Sequence, residues 1–197
     1  MVNFFNGLED FVAKWEGSVL YSPHMDKDLP FVRGEQGVIN LGGELSCFEA
    51  SIFSKASSLF EDAIEDGVKS LVVFLAYSID CITYTSCQGH AGSECTSPSY
   101  RNVGILPRNE QEYQDLIKKL NRVKSHVDET TVDSFVKVVV EESFVDSETL
   151  RMPCIDITFI PRENYENQYF IHLEKTYESF VECAEQEFYG WRAKTHA

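Results

Sequence analysis

Three cysteines and a histidine crowd into residues 81–95, where an apolar segment gives way to polar, glycine-rich chain. Cys87, His90 and Cys95 offer two thiols and one imidazole, separated by two and then four residues. Zinc takes four tetrahedral ligands at about 2.0–2.3 Å, and cysteine and histidine are its usual ligands. The loop therefore predicts a possible zinc site with Cys87, His90 and Cys95 as three of its ligands.

The sequence offers several candidates for the fourth zinc ligand. If residues 82–85 are extended at about 3.3 Å per residue, Cys81 lies roughly 20 Å from Cys87 and is a poor choice. His24, Cys154, another distant histidine or a water molecule could complete the site instead. The sequence lacks the two complete CxxC-like pairs of a strong zinc pattern, so three ligands carry the prediction.

Thiol catalysis is the alternative chemistry for the same loop. Cys87 follows a β-rich run and stands close to Gly89, so its thiol could be exposed beside backbone amides, with His90 as a base. The surrounding acidic residues disfavour the thiolate form that this chemistry needs. The loop thus predicts, as one possible function, a zinc- or thiol-dependent enzyme acting on a small substrate.

The net charge of the chain limits the classes of partner that it is expected to bind. Seventeen basic against 32 acidic side chains give a net charge of −15, which repels nucleic acid and anionic membranes and attracts basic partners. The longest apolar run, residues 68–79, contains Lys69 and is shorter than the roughly 20 residues that cross a bilayer. The N-terminus lacks the basic region of a signal peptide, so the six cysteines are expected to be reduced thiols in the cytoplasm.

Acidic residues concentrate in two clusters. The first acidic cluster comprises Asp128, Glu129, Asp133, Glu141, Glu142, Asp146 and Glu148. The second acidic cluster shares one face of the last predicted helix and comprises Glu174, Glu178, Glu182 and Glu185. Like charges at this helical spacing repel by a few tenths of a kcal/mol per pair. The clusters are either a docking surface for a basic partner or an ordinary solvated surface.

These features favour an acidic intracellular protein that binds and neutralises a basic protein such as a toxin nuclease. Bacterial immunity proteins and antitoxins have this profile, and their carboxylates can stand in for the phosphates of nucleic acid. Two alternatives stay open: the enzyme built on the loop of Cys87, His90 and Cys95, and an adaptor whose acidity serves solubility alone.

Hydrophobic periodicity places helices in the N-terminal part of the chain. Apolar residues recur at helical spacing over residues 4–15, ending at Gly17, and over residues 48–64. The second of these helices would begin at a capping box of Ser46 and Glu49 and end at Gly67. Residues 68–75 also hold helical spacing, although residues 71–75 alone could form a buried strand. Residues 20–43 have no period and many glycines and prolines, which predicts a long irregular connection.

Strand patterns dominate the second part of the chain. The predicted strands cover residues 82–85, 100–106, 135–140 and 153–160, and the last two are expected to pair as an antiparallel hairpin. Helices are predicted after caps at Asn109 and Asn164. The order predicts one α+β domain over residues 1–197, with N-terminal helices to about residue 80. A mainly antiparallel four-stranded sheet in ββαββα order follows, with helices packed on one face.

Overall fold

The structure of the chain is a computed structural model. It describes residues 2–4, 8–17, 32–33, 39–40, 54–57, 60–91, 99–162 and 168–190. The predicted capping box, Cys95, His24 and the predicted cap at Asn164 lie outside these ranges.

The sheet confirms the predicted α+β fold. Its four antiparallel neighbours are the strands β4 (Ile82–Cys87), β5 (Asn102–Leu106), β6 (Val136–Asp146) and β7 (Arg151–Pro161). The strand β1 (Val2–Phe4) adds a short parallel edge, so that the order is β1-β6-β7-β5-β4. The long hairpin of β6 and β7 forms as predicted. Within residues 20–43, the described β2 (Val32–Arg33) and β3 (Ile39–Asn40) pair antiparallel.

Four α-helices accompany these strands in the described part of the chain. They are α1 (Leu8–Trp15), α2 (Asp66–Val73), α3 (Glu110–Thr130) and α4 (Tyr169–Tyr189). Helix α2 continues into a π-helical turn, Phe74–Ser78, so residues 71–75 are helical and the alternative of a strand is wrong. Gly190 ends α4 with a positive φ of 68°, a conformation that favours glycine.

Two predictions for the N-terminal part are wrong. Phe4 ends a strand instead of lying in the first helix, because residues 2–4 extend the sheet alongside β6. The described residues of the predicted 48–64 helix, 54–57 and 60–64, form turns and bends. Phe60 and Ile64 are nevertheless buried, so the periodicity identified core residues without identifying the backbone that carries them. Gly67 lies in the first turn of α2 rather than after a helix.

Helices α2, α3 and α4 cover one face of the sheet. Alternate residues of β7 point from this face toward the helices. The ring of Phe159 contacts those of Tyr177 and Phe180 on α4, each at 5.5 Å between ring centres. Tyr113 of α3 donates a hydrogen bond to Glu142, which shares this face of β6. The buried apolar side chains form one cluster, which also includes residues of α1.

Local capping sets the start of α3. Asn109 accepts a hydrogen bond from the amide of Glu112 at 2.9 Å, which confirms the predicted cap. The side chain of Glu112 accepts a hydrogen bond from the amide of Arg108, at 2.7 Å, one residue before the cap.

None of the helices in the described ranges has the length and apolar composition needed to cross a bilayer.

Phe180 tests the assignment of the core. Its ring is fully buried against Phe159, so Phe180→Ala is expected to lower the free energy of unfolding by about 3–5 kcal/mol. Phe170→Ala, on the same helix but 43% exposed, should change it by less than about 1 kcal/mol. Urea denaturation measures both, and equal losses would contradict the packing described.

Candidate functional site

Glu65, Cys87 and His90 come together beside the end of β4. One donor atom from each (a carboxylate oxygen, the sulfur and a ring nitrogen) lies within 4.8 Å of the other two. His90 Nε2 and Glu65 Oε1 are 3.1 Å apart. No second group of three such side chains occurs among the residues that the structure describes. This cluster is the site where the fold concentrates reactive side chains.

The loop after β4 turns back so that His90 approaches Cys87. Gly89 makes the turn with a φ of +85°, a conformation that favours glycine, and a Cβ there would lie 2.9 Å from the backbone nitrogen of Arg101. His90 and Ser99 then exchange two backbone hydrogen bonds of 3.0 Å. Ser99 Oγ also lies 3.7 Å from the sulfur of Cys87. The backbone thus fixes both loop residues of the site.

Glu65 stands at the N-cap position of α2, but its side chain does not cap the helix. The side-chain oxygen of Gln88 accepts from the amide of Gly67 instead, at 3.1 Å, and so satisfies an amide left open at the helix start. The backbone amide of Gln88 donates to Glu65 Oε2 at 2.8 Å. This exchange of partners leaves Glu65 Oε1 turned toward His90.

Gly67 allows this close approach between helix and loop. A Cβ at Gly67 would lie 2.8 Å from both Arg101 Nη2 and the Cβ of Gln88. Arg101 is buried and donates from Nε to the carbonyl of Gln88 at 3.0 Å. Glycine is therefore required here for packing, at a residue where the sequence suggested a helix end.

The cluster is open to solvent on one side. The side chain of Glu65 is only 10% exposed, whereas that of His90 is 40% exposed. His90 is therefore the more accessible of these two side chains, while Glu65 is held in place by its surroundings.

The convergence of the three donor atoms favours metal binding over thiol–base catalysis. In a nucleophile–base–carboxylate triad, the histidine uses one ring nitrogen for each partner, so sulfur and carboxylate lie on opposite edges of the ring. Here the sulfur of Cys87 and a carboxylate oxygen of Glu65 lie within 4.8 Å of each other. Three donor atoms this close to one another are what a metal ion bound by three side chains requires.

The structure brings together two of the three predicted zinc ligands. Cys87 and His90 are in the cluster, and Cys95 lies outside the described residues. Cys81 precedes extended β4 and so lies at its far end, where burial raises the pKa of its thiol to about 12. Cys154, weighed as a fourth ligand, is buried on β7, 3.8 Å from a carboxylate oxygen of Asp156.

Sequence reasoning missed Glu65. It lies 22 residues before Cys87, in a stretch interpreted as the end of a helix. Nothing in its local sequence distinguishes it from the other acids. Only the packing of α2 against the end of β4 brings it to Cys87 and His90.

The first acidic cluster does not form one patch. Asp128, Glu129 and Asp133 precede β6, whereas Asp146 and Glu148 lie at its other end. Eleven extended residues span roughly 35 Å, so these two groups are far apart. The remaining members, Glu141 and Glu142, are successive residues of β6 and point to opposite faces of the sheet.

Some members of that cluster already have partners. Asp128 pairs with Lys124 at 2.8 Å, and Glu142 accepts from Tyr113. Asp146 lies 3.5 Å from Arg151. These contacts use part of the negative charge within the protein.

The second acidic cluster lies along the exposed side of α4. Glu174, Glu178, Glu182 and Glu185 are all exposed, as the helical spacing implies. Glu174 pairs with Arg101 at 3.0 Å. No ion pair joins the other three to a cation in the described ranges, so they leave exposed negative charge along this side of α4.

Comparison of the chain with protein-family models, with curated proteins and with solved structures gave no match. The geometry of the site is therefore the basis for a functional proposal.

A separate polar cluster lies on the sheet face opposite the helices. The hydroxyl of Tyr84 donates to Asp156 at 2.6 Å. The strand between them carries Gly104, where a Cβ would lie 2.4 Å from the ring of Tyr84. Burial raises the pKa of Asp156, the bond from Tyr84 opposes this rise, and the negative charge of Glu141 adds to it.

The raised pKa predicts a pH-dependent effect of Asp156→Asn. A folded-state pKa above the unfolded one gives stability that is present below the unfolded value, about 3.9, and is lost as pH rises through the folded pKa. The asparagine cannot ionise and keeps an acceptor for Tyr84. The variant should therefore gain stability relative to the native protein as pH rises above about 4.

Urea unfolding between pH 4 and pH 8 measures this gain. Asp115→Asn, at an exposed position of α3, is the matched control for replacing a carboxylate by an amide. A stability difference for Asp156→Asn that stays constant across this range would contradict the assignment.

Proposed function

We propose that this protein is a zinc-dependent enzyme whose metal is held by Glu65, Cys87 and His90. The observation that carries the proposal is the convergence of their donor atoms within 4.8 Å. Tetrahedral zinc with bonds of 2.0–2.3 Å separates its ligands by roughly 3.3–3.8 Å. Closing the cluster on a metal therefore needs movements of only about 1 Å.

The donor set supports zinc and an open coordination position. Sulfur, imidazole and carboxylate donors suit zinc, whereas calcium and magnesium take oxygen ligands. Three protein ligands leave the fourth position for water or substrate, as in catalytic zinc sites. Zinc lowers the pKa of a bound water to about 7. The reaction class that this supports is attack of water on a polarised carbonyl or related centre of a small substrate.

We place this activity in the cytoplasm. In the described part of the chain, Cys81, Cys154 and Cys183 are free thiols. Cytosolic reductants keep thiols in this state, and binding of zinc requires the sulfur of Cys87 to be unoxidised.

Zinc binding tests the proposal directly. The purified reduced protein is expected to bind one zinc ion per chain, measured by native mass spectrometry and by competition with a chromophoric chelator. Cys87→Ser and Glu65→Gln should each weaken binding by at least about 100-fold, because the first replaces a thiolate by a neutral hydroxyl and the second replaces a carboxylate by a neutral amide.

Cys183→Ser is the matched control, since Cys183 lies on α4 outside the cluster. It should bind zinc like the native protein. A native protein that stays metal-free at micromolar zinc, or equal loss in the Cys183 variant, would contradict the proposal.

A second candidate function is an antagonist of a basic protein, of the immunity or antitoxin type. The specific observation in its favour is the face of α4 on which Glu178, Glu182 and Glu185 are exposed without a cationic partner in the described ranges. Such a face accelerates association with a positively charged partner. A toxin nuclease is a partner of this kind, because its active site binds phosphates.

Charge reversal tests this second function. The double variant Glu178→Lys and Glu182→Lys should slow association with a basic partner captured at low salt by about tenfold or more, and flatten its salt dependence. Stopped-flow or surface-based kinetics at several salt concentrations measure both effects.

The control carries the same change in charge on α3, as Glu110→Lys and Asp115→Lys. It should retain most of the native rate, because the face of α4 is unchanged. Equal slowing in both double variants would indicate a nonspecific effect of net charge and remove this helix from the interface.

A further inference from the structure

We propose that Arg101 is the positioning residue of the zinc site: it fixes the Gln88–Gly89 peptide so that the peptide N–H donates to the sulfur of Cys87. This inference rests on the proposed zinc site and deepens it. Arg101 is assigned no bond to the metal; it acts through the backbone of the loop.

The peptide between Gln88 and Gly89 transmits the effect. Arg101 Nε donates to its carbonyl at 3.0 Å, and the amide of Gly89 donates to Cys87 Sγ at 3.4 Å. Because a trans peptide is planar, its carbonyl and its N–H point in opposite directions. Holding the carbonyl on one side therefore aims the N–H at the sulfur on the other. The charged donor also polarises the peptide and strengthens the N–H as a donor.

The preceding backbone amide, that of Gln88, contacts a second proposed ligand, Glu65. The N–H of Gln88 donates to Glu65 Oε2 at 2.8 Å, so two successive amides contact the sulfur and the carboxylate of the site. Hydrogen bonds of this kind orient metal ligands, and their loss typically costs about 10–100-fold in affinity. The orientation of Gln88 therefore contributes to the placement of two of the three proposed ligands.

The surroundings of Arg101 require an arginine. Its side chain is only 6% exposed, Nη2 donates to Glu174 at 3.0 Å, and the guanidinium lies 4.5 Å from the ring centre of Tyr177. A lysine has a single ammonium group and cannot reproduce this planar fork over an aromatic ring. Gly67 lies so close to Nη2 that it would leave no room for an added Cβ, so the guanidinium is confined.

One nitrogen of Arg101 also indicates a functional constraint. Nη1 is buried and finds no hydrogen-bond acceptor in the described part of the chain. An unsatisfied buried donor costs stability. A buried arginine with this cost is expected at a residue whose Nε bond to Gln88 serves the site.

The test is Arg101→Lys in the full chain, with two readouts. Zinc affinity, measured by chelator competition, should fall by about 10–100-fold. Hydrogen exchange of the Gly89 amide in the zinc-free protein, measured by NMR, should accelerate by at least about tenfold as its bond to the sulfur is lost. Arg122→Lys, at an exposed ion pair with Glu187, is the control and should change neither readout.

A second variant covers the case in which Arg101→Lys does not fold. Glu174→Gln keeps the guanidinium but replaces its charged acceptor, and should weaken zinc binding by roughly threefold. Unchanged zinc affinity in the folded variants would overturn the role of Arg101 and leave the zinc site standing. A native protein that binds no zinc would overturn the zinc site itself, and unchanged exchange of the Gly89 amide would overturn the positioning contact.

Discussion

A buried guanidinium in a strongly acidic protein is the interaction on which the site and its surroundings depend. Arg101, which immediately precedes β5, contacts the loop after β4 through Gln88 and α4 through Glu174. Its backbone nitrogen donates to the hydroxyl of Tyr169 at 2.8 Å, which ties the start of α4 to the same point. A charge removed from water must be paired, so the bond to Glu174 favours the arrangement in which these elements meet.

The consequence for the site is a division of roles between neighbouring residues. Gln88 caps α2 in place of Glu65, and this frees a carboxylate oxygen to face His90. Gln88, which lies in the loop after β4, therefore both caps α2 and orients the side chain of Glu65. The negative surface of α4 is linked to it as well, because Glu174 belongs both to that surface and to the contacts of Arg101.

Much of the fold follows from local pattern. Alternating apolar residues marked the strands, the cap at Asn109 marked the start of α3, and the cysteine–histidine loop was recognisable from its residue types. The parts that could not be predicted depend on tertiary contacts. Glu65 meets Cys87 and His90 only because α2 packs beside β4, and a glycine at residue 67 leaves room for the nearby side chains of Gln88 and Arg101. In residues 60–64, apolar spacing reflected burial in turns rather than a helix.

The acidic composition likewise could not be assigned from sequence alone. Residues close in sequence separate in space, since Glu141 and Glu142 face opposite sides of the sheet and Asp146 lies at the far end of the hairpin from Asp128. The acidic residues of α4 stay on one side of the helix because helical spacing alone determines their placement. Charge in this protein is therefore both a surface property and part of the interior, where Arg101 requires a carboxylate.

Zinc K-edge X-ray absorption spectroscopy on the zinc-loaded protein tests the central claim most directly. A site of Glu65, Cys87 and His90 predicts one sulfur at about 2.3 Å, with nitrogen and oxygen ligands at about 2.0–2.2 Å and the outer scattering of one imidazole. Two sulfur neighbours would indicate a closed site that recruits a second cysteine, and no sulfur neighbour would exclude Cys87 as a ligand. Either result would contradict an open site built on these three residues.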